Sequence, residues 1–274
     1  MSRPFIEMMT LEPHGPDTYI GAGPPYPWGG LYGGQVVAQA LLSAQLTAKA
    51  LYLPHSLHAN FLRMGDPEEP VRYEVERLRD GRSFYARQVV ARQSTGAILN
   101  MSASFRVAEV PTMDLQLAAM PLVPAPEEGT EVSWSPLFEL RHVPGPGQRP
   151  RDDQQSAWSW FRVLEDLGER PIAHAAALAY VSDSGPASLV TSVHEQTCPP
   201  GPKWAPLSLD HAVWFHRQFR ADSWLLLEAF TGSLHNSTAL ATGRIFSPDG
   251  ALVASIAQEV LLRRPRASVG APLG

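Results

Sequence analysis

Positions 31–46, which contain no charged residue, predict a helix that is buried on most of its sides. Two glycines open it, and apolar side chains fall on nearly every face of the helix that follows. A helix that is apolar all round must be covered by other elements of the fold.

Alternating polar and apolar residues beyond this helix predict the strands that cover it. The segments 55–63, 72–79, 83–91 and 97–107 mix aromatic and β-branched residues with polar ones. Asp80-Gly81 and the glycine at Gly96 are tight-turn signals between the last three of these segments. The first half therefore predicts a buried helix wrapped by an antiparallel meander.

The second half repeats this order of elements after a stretch rich in proline and glycine. A strand at 156–164, an apolar helix at 171–180 and four strands at 207–219, 224–230, 237–246 and 251–262 are expected. Adding 154 to a position carries Glu74 onto Glu228 and Gly96 onto Gly250 without a gap, which favours duplication. We predict an N-terminal domain at 1–107, a linker at 108–150 and a C-terminal domain at 151–274, packed as a pseudo-dimer.

Composition limits the classes of function. A chain of 274 residues with 44% hydrophobic and 18% charged residues can bury two cores. Its net charge of -5 gives no general attraction to nucleic acid or to an anionic membrane. Because no stretch reaches the roughly 20 apolar residues that cross a bilayer, and the first residues lack a signal-peptide core, we expect a cytoplasmic protein without membrane insertion.

Cysteine and histidine suggest no special chemistry. The single cysteine, Cys198, lies beside two prolines and is expected to be a loop thiol. The histidines His58, His174, His211, His216 and His235 show no metal-ligand spacing, so we expect neither a metal nor another cofactor.

Several blocks together resemble the acyl-CoA thioesterase II family, the double hot-dog hydrolases. The first half carries Tyr-Gly-Gly-Gln-Val-Val-Ala-Gln-Ala at 32–40, Phe-Leu-Arg at 61–63, Gly-Asp-Pro at 65–67 and Leu-Arg-Asp-Gly at 78–81. The second half carries Asp-His at 210–211, Trp-Phe-His-Arg at 214–217 and Gln-Glu at 258–259. The resemblance implies an α+β double hot-dog fold and assembly into homodimers or larger homo-oligomers.

The family hydrolyses fatty acyl-CoA with an Asp, a Gln and a hydroxyl that hold the attacking water. By resemblance, the carboxylate is assigned to Asp210 and the amide to Gln258. The hydroxyl falls near Gly232, so either Ser233 or Thr231 could supply it, and a bulge at Gly232 could turn either inward. The first half has His58 and Ser104 at the positions matching Asp210 and Gln258, so one competent site per chain is expected.

The reaction needs one base and a means of stabilising an oxyanion, because the CoA thiol, with a pKa near 8.5, leaves largely as thiolate. Gly33 and Gly34, followed by Gln35, let a substrate carbonyl approach the free N–H groups of the first helical turn. A bulky residue at Gly34 is then expected to abolish turnover in a folded protein. Arg82 belongs to a local positive patch that could contact CoA phosphates.

Other functions remain open at this point. An enoyl-CoA hydratase or dehydratase would need a paired acid and base, yet Asp210 and His211 are adjacent on a predicted strand and would point to opposite faces. A serine hydrolase is disfavoured because the sequence has no Gly-x-Ser-x-Gly. A non-catalytic acyl-CoA-binding protein would keep the fold without releasing CoA.

Overall fold

The computed structural model describes residues 4–109, 113–145, 155–197 and 204–263. Its α-helices are α1 (Phe5–Met8), α2 (Gly33–Leu46), α3 (Pro171–Ser182) and α4 (Ser184–Thr197). Its strands are β1 (Glu12–Pro13), β2 (Thr18–Gly21), β3 (Tyr52–Phe61), β4 (Val71–Asp80), β5 (Phe84–Gln93), β6 (Gly96–Val107), β7 (Thr130–Glu131), β8 (Phe138–Val143), β9 (Gln155–Val163), β10 (Ala205–Ser208), β11 (Asp210–Phe215), β12 (Leu225–Thr231), β13 (Thr238–Phe246) and β14 (Leu252–Arg263).

All of these strands belong to one antiparallel sheet that runs continuously through both halves. Their order is β1-β2-β4-β5-β6-β3-β11-β14-β13-β12-β9-β8-β7, with β10 paired to β14. The halves join where β3 and β11 pair, with His58 opposite Ala212. The strand order is therefore nearly symmetric about this junction, as the predicted pseudo-dimer requires.

Helices α2 and α3 pack against each other on the concave side of the sheet. Val37, Ala38 and Leu41 of α2 have no exposed surface, and neither do Ala177 and Leu178 of α3. The predicted buried helix, wrapped by an antiparallel sheet, is confirmed in each half. Within the described ranges, no helix is long and apolar enough to cross a membrane.

A β-bulge occurs within β3 and at the equivalent place between β10 and β11, and it shows which residues of the two halves correspond. In the first half the register shifts between Pro54 and Ser56. In the second half Ser208 lies opposite Val260 and Ala212 opposite Ala257, which leaves one extra residue at Leu209. The offset of 154 therefore relates β3 to β11 and makes Ser56 the counterpart of Asp210. The sequence comparison, which matched Asp210 to His58, was wrong.

The last strands of the two halves, β6 and β14, are related by adding 155 to the residue number instead of 154. Ala103 on β6 and Gln258 on β14 both face the helices, and they pair with Arg87 and Ala241, which are related by 154. The β13–β14 turn is one residue longer than the β5–β6 turn, because Ser247 bonds Ala251 whereas Gln93 pairs with Gly96. Gln258 therefore stands where the first half has Ala103, and the expected match to Ser104 was wrong.

Three further segments differ from the structure predicted from the sequence. The predicted linker contains β8, whose Phe138 is buried and which pairs with β9. Helix α4 follows α3 almost directly and was not predicted. The strand expected at 207–219 is divided at Leu209 into β10 and β11. Cys198 lies outside the described residues.

Candidate active site

The amino end of α2 packs directly on the carboxyl end of α3. The Tyr32 hydroxyl, just before α2, donates to the carbonyl oxygen of Tyr180 at 2.6 Å. A Cβ atom added at Gly34 would lie only 2.3 Å from that same carbonyl. Gly34 therefore allows two helix backbones to meet, and its N–H group donates to the carboxylate of Asp183.

Asp183 lies between α3 and α4 and is 3% exposed. Burial raises the pKa of this carboxyl group to about 7, because the charged form loses hydration. Hydrogen bonds from Gly34, Ser208 and Gln258 favour the charged form and offset part of this effect. A carboxylate with such a pKa can take up and release a proton near neutral pH.

Gln258, on the concave face of β14, links Asp183 to a hydroxyl group. Its side chain has no exposed surface. Its Nε2 donates to Oδ1 of Asp183 at 3.1 Å and to Oγ of Ser208. Three polar side chains from different elements thus meet beside the amino end of α2.

His211 holds the other end of the Gln258 amide. Nδ1 of His211 lies 3.1 Å from Oε1 of Gln258, and Nε2 lies 3.0 Å from Oγ of Ser182. Because an amide oxygen only accepts, Nδ1 carries the proton and Nε2 accepts from the Ser182 hydroxyl. Burial lowers the pKa of His211 to about 4, so the ring is neutral at pH 7.

The bulge at Leu209 explains why both Ser208 and His211 reach Gln258. In a regular strand, residues three apart point to opposite faces of the sheet. The extra residue at Leu209 shifts this alternation by one, so both side chains face the helices.

The structure does not bring Asp210 to Gln258. Asp210 precedes the inward-facing His211 on β11, and its Oδ1 accepts a hydrogen bond from the backbone N–H of Glu259 at 2.6 Å. The carboxylate that contacts Gln258 is that of Asp183, which the sequence interpretation did not select.

The two predicted hydroxyl groups also lie elsewhere. Thr231 Oγ1 donates to the carbonyl of Leu240, and Thr231 pairs with Ala241, which separates it from Gln258 by a whole strand. Ser233 is exposed beyond the end of β12. Ser208 supplies the hydroxyl beside Gln258 instead.

Of the expected substrate-binding residues, Gly33 and Gln35 lie at the amino end of α2, whereas Arg82 lies near its opposite end. Gly33 adjoins the site, since a Cβ atom there would lie 2.9 Å from Oδ2 of Asp183 and from the ring of Phe61. Gln35 is buried and accepts a hydrogen bond from the Tyr26 hydroxyl at 2.7 Å. Arg82 lies in the β4–β5 turn, where its carbonyl accepts from Tyr52, near the opposite end of α2.

One sequence signal could have identified the missed carboxylate. Ser182 and Asp183 are the only adjacent polar pair at the end of the otherwise apolar segment 171–183. A charged residue that ends a fully buried helix needs partners inside the fold, which makes it a candidate site residue.

The fold and this polar cluster define a double hot-dog protein with a buried carboxylate, Asp183, at the junction of its halves. Two family descriptions match the chain, "Acyl-CoA thioesterase N-terminal domain" over residues 23–106 and "Acyl-CoA thioesterase C-terminal domain" over residues 109–262. The chain belongs to the acyl-CoA thioesterase II family, as its sequence blocks indicate.

Individual relatives agree over nearly the whole chain. Human acyl-coenzyme A thioesterase 8 is 33% identical over 95% of this chain and 89% of its own length. The crystal structure of acyl-CoA thioesterase II TesB2 from Mycobacterium marinum is 36% identical, with a TM-score of 0.82 over 96% of this chain and 98% of that one. A hot-dog protein of unknown function from Alicyclobacillus acidocaldarius, 20% identical with a TM-score of 0.78 over 97% of this chain and 100% of that one, supports the fold alone.

Proposed function

We propose that this protein hydrolyses fatty acyl-CoA to free fatty acid and CoA, and that Asp183, Ser208 and Gln258 hold the attacking water. The observation that carries the proposal is the contact of the Gln258 amide with both the Asp183 carboxylate and the Ser208 hydroxyl. This gives the carboxylate, amide and hydroxyl that the family uses, with Asp183 and Ser208 in place of Asp210 and of Thr231 or Ser233.

Asp183 is suited to act as the base. A water between these groups would lose a proton to the Asp183 carboxylate as its oxygen attacks the thioester carbonyl carbon. Ser208 and Gln258 would orient the water, and Gln258 itself is held by His211.

The amino end of α2 is suited to stabilise the oxyanion. The positive end of its helix dipole faces the carboxyl end of α3, where the Gly34 N–H donates to Asp183. The absence of a side chain at Gly33 lets the amino end of α2 lie close to Asp183, because a Cβ atom there would be 2.9 Å from Oδ2 of Asp183 and from the Phe61 ring. Collapse of the tetrahedral intermediate then breaks the C–S bond, and CoA departs as thiolate, which is protonated by Asp183 or solvent.

The geometry opposes the hydratase alternative. His211 has both ring nitrogens engaged and no exposed surface, so it is not placed to exchange protons with a substrate. A thioester hydrolase needs only the one carboxylate that the site provides.

The test is release of free thiol from acyl-CoA esters of increasing chain length, with enoyl-CoA hydration followed in parallel. Hydrolysis that rises above the uncatalysed rate for at least one ester supports the proposal. Binding of acyl-CoA without thiol release would favour the non-catalytic binding protein. Hydration of enoyl-CoA without thiol release would favour the hydratase. Light scattering on the same protein tests the homo-oligomer that the family resemblance implies.

A further inference from the structure

A cavity of about 1000 Å³ opens at the amino end of α3. It lies between the start of β3 and the end of β11, and residues 113–118 cover one side. Its lining includes Pro54, Pro171, Phe215 and Arg217 but none of Asp183, Ser208 and Gln258.

This cavity is the counterpart of the active site in the duplicated fold. The offset of 154 between β3 and β11 relates Pro54 to Ser208 and Phe215 to Phe61, the ring beside Gly33. Likewise Pro171 begins α3 as Gly33 begins α2. The active site and this cavity thus each combine a helix amino end with a phenylalanine of the corresponding strand.

An arginine makes the same hydrogen bond to a backbone carbonyl in each half of the fold. Arg63 donates through Nη1 to the carbonyl of Ala97 at 2.7 Å, and Arg217 donates through Nη1 to the carbonyl of Leu252 at 2.9 Å. Ala97 and Leu252 are related by 155, the offset that relates β6 to β14. Because the same contact occurs twice, both arginines are fixed at equivalent positions.

The groups that would hold a water are replaced in this second site. Ala103 stands in place of Gln258 and Pro54 in place of Ser208, and Thr47 ends α2 where Asp183 ends α3. The fully buried Arg87 donates to the Thr47 hydroxyl at 2.7 Å. A thioester bound here would not meet the carboxylate, amide and hydroxyl cluster of the active site, so hydrolysis is not expected in this cavity.

The lining suits a ligand with an apolar chain and anionic groups. Leu53, Val107 and Phe219 contribute apolar surface, and Arg106 and Arg217 contribute cations. These arginines pair with Glu109 and Asp114, which are 51% and 68% exposed. Such exposed pairs are weak, so phosphate groups can replace the carboxylates.

We propose that this cavity is a second, non-catalytic site that binds intact acyl-CoA. The proposal rests on the proposed function, because the duplicated fold gives the second site the ligand class of the first. The chain would then bind two acyl-CoA molecules and hydrolyse one of them.

The test is the stoichiometry of binding of a non-hydrolysable thioether analogue of a long-chain acyl-CoA, measured by calorimetry on the full chain. Two equivalents per chain are expected. Free CoA and free fatty acid serve as separate arms, and each is expected to bind the second site at least tenfold more weakly than the analogue.

Two matched variants assign the equivalents. Arg217→Glu is expected to remove the second equivalent and to leave thiol release within twofold of the unmodified protein. Arg63→Glu, at the equivalent position of the active site, is expected to keep the second equivalent and to raise KM for acyl-CoA about tenfold. Leu53→Trp fills the cavity without a charge change and should reproduce the loss seen with Arg217→Glu.

One equivalent in the unmodified protein, sensitive to Arg63→Glu but not to Arg217→Glu, would overturn the second site. Two equivalents that both persist in Arg217→Glu and Leu53→Trp would also overturn it. Failure of the proposed function is distinguishable, because it appears as absence of thiol release whatever the number of equivalents bound.

Discussion

Nδ1 of His211 lies 3.1 Å from Oε1 of Gln258, and this contact holds the oxygen end of the amide whose nitrogen donates to Asp183. Without it, the amide would be held through its nitrogen alone, by Asp183 and Ser208. We therefore expect His211→Phe to lower kcat about tenfold, the effect of one lost hydrogen bond, with KM nearly unchanged.

Ser182→Ala is the matched control for this prediction, because it removes only the partner of His211 Nε2. Its kcat should fall less than that of His211→Phe. Steady-state kinetics on folded proteins would contradict the positioning role if His211→Phe raised KM and left kcat intact.

The rate should depend on the ionisation of Asp183. Its pKa in the folded protein is raised to about 7 by burial, and only the ionised carboxylate can accept the proton of the water. The kcat/KM should therefore rise with pH through about 7 and level off above it. A profile that stays flat down to pH 5 would mean that another group acts as the base.

The same carboxyl group should make the protein less stable at high pH. An ordinary Asp has a pKa of 3.8, so between about pH 4 and 7 the folded state binds more protons at this site than the unfolded state. The stabilisation by the protonated form is complete below pH 4 and is lost as pH rises through about 7. We expect Asp183→Asn to raise the unfolding temperature at pH 8 and to change it little at pH 4; an equal change at both would contradict the assignment.

Gly34 should matter for the fold and Gly33 for the reaction. A Cβ atom at Gly34 meets the backbone oxygen of Tyr180, whereas one at Gly33 meets the ends of the Asp183 and Phe61 side chains. Gly34→Ala should lower the free energy of unfolding by about 1–3 kcal/mol through overpacking. Gly33→Ala should lower thiol release with a smaller loss of stability; the two are compared by denaturation and by assay.

The close approach of Gly34 to the Tyr180 carbonyl revises the expectation that a bulky residue at Gly34 would stop turnover in an intact fold. The sequence shows that the helix begins with two glycines, but not that α3 approaches one of them. Their separate roles depend on the contact with Tyr180, which is 146 positions away in the chain.

Most of the architecture follows from local patterns in the chain. The uncharged stretch that became α2 and the turns at Asp80-Gly81 and Gly96 lie where apolar periodicity and turn chemistry predict. Helix α4 was missed because its sequence is rich in Ser, Thr and Val, which have low helix propensity, and packing on the sheet stabilises it instead. β8 was missed because prolines and glycines surround it.

The polar cluster around Gln258 could be predicted from the sequence less well than the fold, for a physical reason. Gln258 lies on a regular strand, where alternation gives the direction of a side chain. Ser208 and His211 lie on either side of a bulge, which reverses that alternation, and Asp183 reaches the site through the packing of α3 on α2. Asp210 was selected by the family resemblance, and strand periodicity, which cannot locate an inserted residue, did not point to Asp183.

The most direct measurement of the central claim compares thiol release by Asp183→Asn and Asp210→Asn, with acyl-CoA saturating and both proteins shown to be folded. Asp183→Asn should lower kcat about 10²–10⁴-fold, the range for loss of a general base. Asp210→Asn keeps an oxygen that can accept from Glu259 N–H, and its kcat should stay within about tenfold of the unmodified protein. The reverse order, with Asp210→Asn inactive and Asp183→Asn active, would contradict this account of the site.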